Sequence, residues 1–204
     1  MRPLKPKGLL VVISAPSGCG KTTLLHHLLQ RNKNFVRAIT ATTRKPRKGE
    51  ADGRDYFFIT EKEFQARKRK RDFLEWAEVY GYHYGTLKRA TLDELEKGKN
   101  VILTIDVQGA RQVRKKISGV FIFIMPPSME VLEKRLKSRK SDSGKQIEKR
   151  LEQARSEMVC AKEYDYIVTN HDVEESIAAI EAIMARERKR RPAKKEMKHG
   201  VYSA

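Results

Sequence analysis

Leu9-Leu-Val-Val-Ile-Ser-Ala-Pro-Ser-Gly-Cys-Gly-Lys-Thr22 decides the fold of this 204-residue chain. Its first part, Leu9 to Ser14, is a continuous apolar run rich in β-branched residues. That is the composition of a strand buried on both faces of a parallel sheet. Its second part, Ala15-Pro16-Ser17-Gly18-Cys19-Gly20-Lys21-Thr22, ends as the Walker A pattern ends, with Gly20-Lys21-Thr22 opening a helix. Gly18 and Gly20 let the backbone turn successive N–H groups inward around phosphate oxygens. The helix that follows, Thr22 to Arg31 with Leu24, Leu25, Leu28 and Leu29 on one face, adds its positive N-terminal end. In that geometry Lys21 reaches the β- and γ-phosphates and the Thr22 hydroxyl ligates Mg²⁺. Ala15 stands where the usual pattern has its first glycine. The bland alternative is a glycine-rich turn with a solvated lysine. The buried strand before the loop and the helix after it favour a nucleoside-triphosphate site instead.

Outward from this unit, Asn100 to Asp106 and Gly119 to Met125 read as two more buried strands, with a helix over Gln108 to Ile117 between them. Pro126-Pro127 ends the third strand, and Ser128 can cap a helix over Met129 to Arg139. Asp165 to Asn170 is the last strand. After it, Asp172 and Glu175 have capping-box spacing ahead of a helix carrying Ile177, Ile180 and Ile183. Strands alternating with helices predict an α/β protein with a parallel central sheet. The rhythm breaks between Arg37 and about Lys88. There, short strand-like pieces (Ala38 to Thr43, Tyr56 to Thr60), turn residues and tyrosines predict a small inserted lobe.

A net charge of +18 calls for anionic partners, nucleotides being one class and RNA or DNA another. Ala185 to Ala204 holds eight Lys/Arg against two Glu, about a third of the excess. A second run, Arg67 to Arg71, falls in a helical-looking segment. No RNA-binding motif accompanies either, so the tail reads as a solvated helix end and no nucleic-acid partner is expected. Cys19 and Cys160 lie far apart without zinc or haem spacing, so reduced thiols are expected. The apolar stretch Leu9 to Ile13 is too short for a signal-peptide core or a membrane span, which predicts a cytoplasmic protein without a membrane partner. His26, His27, His83 and His199 offer no triad or metal cluster.

Within the inserted lobe, Thr40-Ala-Thr-Thr43-Arg44-Lys-Pro46-Arg47-Lys-Gly49-Glu50, followed by Asp52-Gly53-Arg54-Asp55-Tyr56, closely resembles the guanylate kinase signature. Phe73-Leu-Glu75-Trp76-Ala77 and Tyr84-Gly85-Thr86 are similar to that family's second nucleotide-binding stretch, and Ile105-Asp106-Val-Gln108-Gly109 to its core-strand motif. Pro126-Pro127-Ser128, Lys134-Arg135-Leu136, Arg139 and Lys149-Arg150-Leu151 resemble its lid region, and Val168-Thr-Asn170 the turn that contacts the ATP base. The resemblance runs in order from about Leu9 to Arg188.

This resemblance implies a P-loop three-layer fold. It puts the core at residues 1–36 (with the phosphate loop), 90–125 and 157–188, a GMP-binding lobe at 37–89, a mobile lid region at 126–156 and a basic tail at 189–204. It implies transfer of the γ-phosphoryl of ATP to GMP, and also dGMP, giving ADP and GDP. On the ATP side it implies Ala15, Pro16, Ser17, Gly18, Cys19, Gly20, Lys21, Thr22, Thr23, Arg135, Arg139 and Asn170, with Mg²⁺ on Thr22. On the GMP side it implies Thr40, Arg44, Arg47, Tyr56, Glu75, Tyr84, Thr86 and Asp106, and for the transfer itself Lys21, Arg44, Arg139 and Arg150.

The side chains have the chemistry for these roles. Arg44 and Arg47 form a fork suited to a dianionic phosphate, and Tyr56 and Tyr84 can donate to the same phosphate. Guanine presents N1–H and N2–H₂ side by side, so a carboxylate such as Glu75 is its natural partner, and adenine would leave that carboxylate unpaired. The chain departs from the family at Thr104, where an acidic residue is frequent, at Lys140, where glycine is common, and at His171, where an acid is frequent. Thr40 and Thr86 stand where some members have serine. Two other readings compete, a catalytically silent guanylate-kinase-like interaction module and a nucleic-acid-binding P-loop protein. Monomer and homo-oligomer both stay open.

Overall fold

In the computed structural model, which describes residues 6–79, 81–138 and 144–190, Leu10–Ser14 forms β1 at the centre of a parallel sheet. Its neighbours are β7 (Asn100–Thr104) and β8 (Val120–Met125). Beyond them lie β2 (Phe35–Arg37) and β9 (Tyr166–Thr169), giving the order β2-β7-β1-β8-β9. All four pairings are parallel, with Val12 opposite Leu103 on one side and Phe121 on the other.

The continuous apolar run follows from burial on both faces. Val11 and Ile13 pack towards α1 (Lys21–Arg31), α5 (Met129–Lys137), α6 (Gly144–Val159) and α7 (Val173–Arg190), meeting Leu28, Leu132, Leu151 and Ile180. Leu10 and Val12 pack the other way, towards α3 (Lys88–Glu96) and α4 (Val107–Arg114), meeting Leu95 and Val113. Two apolar layers thus sandwich one sheet, each buried aliphatic side chain stabilising the fold by ~1.5–3 kcal/mol. The expected α/β three-layer architecture is what the chain adopts.

Capping side chains set the helix starts. Ser128 accepts from the Val131 N–H, and Asp172 accepts from the N–H groups of Glu174 and Glu175. Asp106 caps α4 through the Gly109 N–H at 2.8 Å. The helix placed at Met129 to Arg139 ends earlier, at Lys137, and Arg139 and Lys140 lie outside the described residues. The last helix continues to Arg190, where the Arg188 guanidinium lies 5.1 Å from the Phe35 ring centroid. The remainder of the basic tail lies outside the described residues.

The inserted lobe carries its own sheet, order β4-β3-β6-β5, built from β3 (Thr40–Thr42), β4 (Tyr56–Phe58), β5 (Phe73–Val79) and β6 (Tyr82–Leu87). The helix α2 (Glu61–Arg69) covers it, with Phe64 stacked on Phe73 at 4.5 Å between ring centroids. Gly85 permits that packing, since a Cβ there would lie 2.8 Å from the Phe73 ring. The basic run Arg67 to Arg71 does not stay helical to its end. Asp72 N–H bonds to Arg67 O and Arg71 N–H to Lys68 O, a Schellman closure with Arg71 at φ 57° where glycine is usual.

One boundary moves. Phe35–Arg37 pairs in register with Asn100 to Ile102, so the core sheet extends through residue 37 before the chain crosses into the lobe. A three-residue edge strand flanked by Asn and Lys carries too little pattern to be read from sequence.

Candidate active site

The sheet delivers its chemistry at the carboxyl ends of the parallel strands, where open α/β sheets place their ligand crevices. The phosphate loop leaves the end of β1. Gly18 (φ 96°) and Gly20 (φ 88°) take the left-handed conformations that the loop requires, and Gly20 enters α1 with no side-chain cap on the helix N–H groups. The positive end of such a helix suits an anion. Lys21 arches over the loop and its ammonium donates to the Ala15 carbonyl oxygen. Ala15 itself is 4% exposed and packs into the core. A methyl group fits where the usual pattern has glycine, and the loop tolerates the exchange.

The loop is braced from behind. Asn170 at the end of β9 is buried, its Nδ2 donating to Cys19 O (2.8 Å) and its Oδ1 accepting from Ser176 Oγ (3.0 Å). Arg135 donates to the Asn170 carbonyl oxygen at 3.1 Å. Both residues were expected to touch ATP directly. In the unliganded fold these hydrogen bonds brace the loop's far side, where the Cys19 side chain is fully buried in the core.

An open cleft of about 310 Å³ runs from this loop to the lobe. Ala15, Pro16, Ser17, Gly18, Gly20, Lys21, Thr22 and Thr23 line its loop end, and Thr40, Arg47, Tyr56, Glu75 and Tyr84 its lobe end, with Asp106 between. Arg150 on α6 closes over the top, its Nη1 3.4 Å from Ser17 Oγ. Residues separated by more than a hundred positions thus share one cavity.

Glu75 is the most constrained group in it. A register shift between Phe73 and Glu75 re-aims the side chain, and the carboxylate is 2% exposed. Its Oε1 accepts from the Thr86 N–H (3.0 Å) and hydroxyl (2.5 Å). Thr86 itself is buried and acts on the cleft through that carboxylate. Burial pushes the Glu75 carboxyl up to about 7, with Thr86 pulling it down and the neighbouring Asp106 adding to the rise. Burial also raises Asp106, against the Gly109 N–H and the charge of Lys21.

Several residues around Glu75 had no role assigned from sequence. From α4, Gln112 clamps β5 by accepting from the Trp76 N–H (3.2 Å) and donating to Trp76 O (2.6 Å), and just past that helix Lys116 donates to Leu74 O. The main chain is therefore pinned on both sides of Glu75. Gly109 is the spacer, because a Cβ there would lie 2.5 Å from Glu75 Oε2. On the lid side, Gln153 and Glu157 also line the cleft, with Gln153 Nε2 donating to Glu157 Oε1 at 2.8 Å.

The arginine fork is split. Arg47 lines the cleft, whereas Arg44 is 8% exposed and turned to Glu50 Oε1 (2.9 Å) and Lys45 O (2.7 Å). Its guanidinium lies 5.3 Å from the Tyr56 ring centroid. Arg139 falls outside the described residues.

Comparison with known proteins places this arrangement. The guanylate kinase family model matches residues 7–187. A guanylate kinase from Caldanaerobacter subterraneus subsp. tengcongensis is 46% identical over 195 residues, 95% of each chain. One from the Wolbachia of Brugia malayi is 46% identical over 91% of this chain and 96% of its own. The crystal structure of guanylate kinase from Anaplasma phagocytophilum superposes with a TM-score of 0.73 at 37% identity, over 90% of this chain and 88% of that one.

Proposed function

This chain belongs to the guanylate kinase family, and from that membership we propose how its cleft carries the reaction. The enzyme is an ATP:GMP phosphotransferase, moving the γ-phosphoryl of ATP to GMP. One observation carries the assignment of the site: a phosphate loop and a buried, hydrogen-bonded carboxylate face each other across a single cleft.

ATP lies with its phosphates on the N–H groups of the loop and of α1, Lys21 leaving Ala15 O to meet the β- and γ-phosphates. GMP lies in the lobe. Its N1–H and N2–H₂ donate to Glu75, with Thr40 and Asp106 at the base edge and Thr86 holding the carboxylate. Its phosphate is held by Arg47, Tyr56 and Tyr84, with Arg44 behind Tyr56 supplying charge. No covalent intermediate is needed. The acceptor oxygen attacks the γ-phosphorus in line, while Lys21, Arg150 and Arg139 neutralise the charge on the transferring group. dGMP offers the same base and phosphate contacts and serves as a second acceptor.

The residues present fit Mg²⁺. The Thr22 hydroxyl and the Asp106 carboxylate line one cleft, and among the described residues no group of three or more His, Cys, Asp or Glu is arranged to hold a metal. Few, hard oxygen donors suit an ion that keeps most of its waters and arrives on the nucleotide. When bound, the ion would be held through the Thr22 hydroxyl and would supply charge neutralisation to the triphosphate. Cys19 and Cys160 are both free, and no described helix is long and apolar enough to cross a membrane, which supports work in the cytoplasm.

The test is acceptor kinetics against pH. GMP is expected to be phosphorylated and AMP and CMP not. Glu75 must be ionised to accept both guanine donors, so the KM for GMP should stay flat above pH 7. It should rise about tenfold per pH unit below, following a carboxyl raised to about 7. Equal turnover of AMP, or a KM for GMP that does not change between pH 6 and 8, contradicts the reading.

A further inference from the structure

Arg37 is not accounted for by the roles above. It ends β2, and its backbone is fixed to the core sheet by register with Ile102 and by the Ala38 N–H bond to Ile102 O (3.0 Å). Only Ala38 and Ile39 separate it from β3, so it stands at the joint between the core sheet and the lobe. Its side chain lines the cleft beside Thr40, Arg47 and Tyr56, with Cζ 5.5 Å from the Tyr56 ring centroid. Its Nε is buried and has no hydrogen-bond partner.

A buried guanidinium nitrogen without an acceptor is costly, and such atoms in native proteins await a partner. Two guanidinium groups, those of Arg37 and Arg44, sit against the same Tyr56 ring. Arg44 is neutralised by Glu50 at 2.9 Å, whereas Arg37 acts on the Asp55 carboxylate only through its charge, without an ion pair between them. Positive charge has therefore accumulated at one point of the wall with too few anions of its own. A phosphate monoester dianion supplies both the charge and acceptors in the planar spacing a guanidinium matches.

We propose that Arg37 is a substrate ligand, donating to the phosphate of GMP from the core sheet. Arg47, Tyr56 and Tyr84 hold the same phosphate from the lobe. This rests on the assignment of the cleft to GMP.

Calorimetric titration with GMP and with guanosine separates the possibilities, using the wild type, Arg37→Gln and Arg37→Lys. The wild type should bind GMP much more tightly than guanosine. Arg37→Gln should weaken GMP about 10- to 100-fold, the range of a lost charged hydrogen bond, and leave guanosine unchanged. Arg37→Lys should recover part of the loss, since it restores charge but not the fork. The melting temperature of unliganded Arg37→Gln should fall little, because the contact with the Tyr56 ring is lost but no hydrogen bond is. GMP affinity within twofold of wild type overturns the proposal, as does an equal loss for GMP and guanosine. A wild type that binds both ligands equally overturns the assignment of the cleft itself.

Discussion

Replacing Glu75 by glutamine is expected to lower kcat/KM for GMP by about 10²- to 10³-fold while making the unliganded protein more stable at pH 8. The two effects share a cause. Glu75 is 2% exposed, and burial raises its carboxyl from 4.5 to about 7. The sign follows from linkage. Below pH 4.5 the group is protonated in both the folded and unfolded chain and has no effect on the balance. As pH rises through 4.5 to 7 the unfolded chain releases its proton first, so stability is lost, by on the order of 3 kcal/mol once pH exceeds 7. Glutamine keeps an acceptor for the Thr86 N–H and hydroxyl but carries no charge to desolvate. Denaturant unfolding at pH 8 should therefore show the variant ahead of the wild type, and at pH 5 the gap should close. In activity the order reverses, because the amide accepts only one guanine donor and opposes the other. A variant that kept GMP turnover would remove Glu75 from guanine recognition, and one destabilised at pH 8 would contradict a carboxyl raised by burial.

Lys21→Met should cut kcat about 10³-fold, equivalent to ~4 kcal/mol of transition-state stabilisation, with the KM for GMP unchanged. Methionine matches the length of the aliphatic stem, so α1 should start as before and Gly20 should keep its conformation. What disappears is the ammonium, which at rest bonds Ala15 O and lies close enough to Asp106 to offset part of the rise that burial gives its carboxyl. Arginine should not rescue the loss, because its planar fork cannot follow the arch over the loop that a point charge takes. Steady-state kinetics with GMP and ATP varied separately decides the matter. A loss below tenfold, or one confined to the KM for GMP, would mean that Lys21 does not touch the transferring group.

The phosphate loop and the core were legible because they are local. A strand, a glycine turn and a helix start lie within fourteen residues of sequence, and burial on both faces writes itself as a continuous apolar run. The lobe end of the cleft was legible through its resemblance to a family, which marked Glu75 without showing what holds it. Gln112 and Gly109 on α4, and Lys116 just past its end, act on β5 from more than thirty residues later, and the stacking of α4 on β5 brings them together. No periodicity encodes that contact. What Asn170 and Arg135 do in the unliganded fold was hidden for the opposite reason. Polar residues near a nucleotide loop suggest ligand contact, yet their hydrogen bonds go to the loop's own main chain and to each other. Arg37 reads in sequence as one more surface charge in a chain of net charge +18, and its position at the cleft follows only from β2 joining the core sheet.

The most direct test of the whole account is a crystal structure of the enzyme with GMP and a non-hydrolysable ATP analogue. The account predicts both Glu75 carboxylate oxygens within hydrogen-bond reach of guanine N1 or N2, and the GMP phosphate between Arg47, Tyr56 and Tyr84. It also predicts the triphosphate on the N–H groups from Gly18 to Thr22. GMP bound with its base away from Glu75, or a triphosphate seated elsewhere than on this loop, would contradict it.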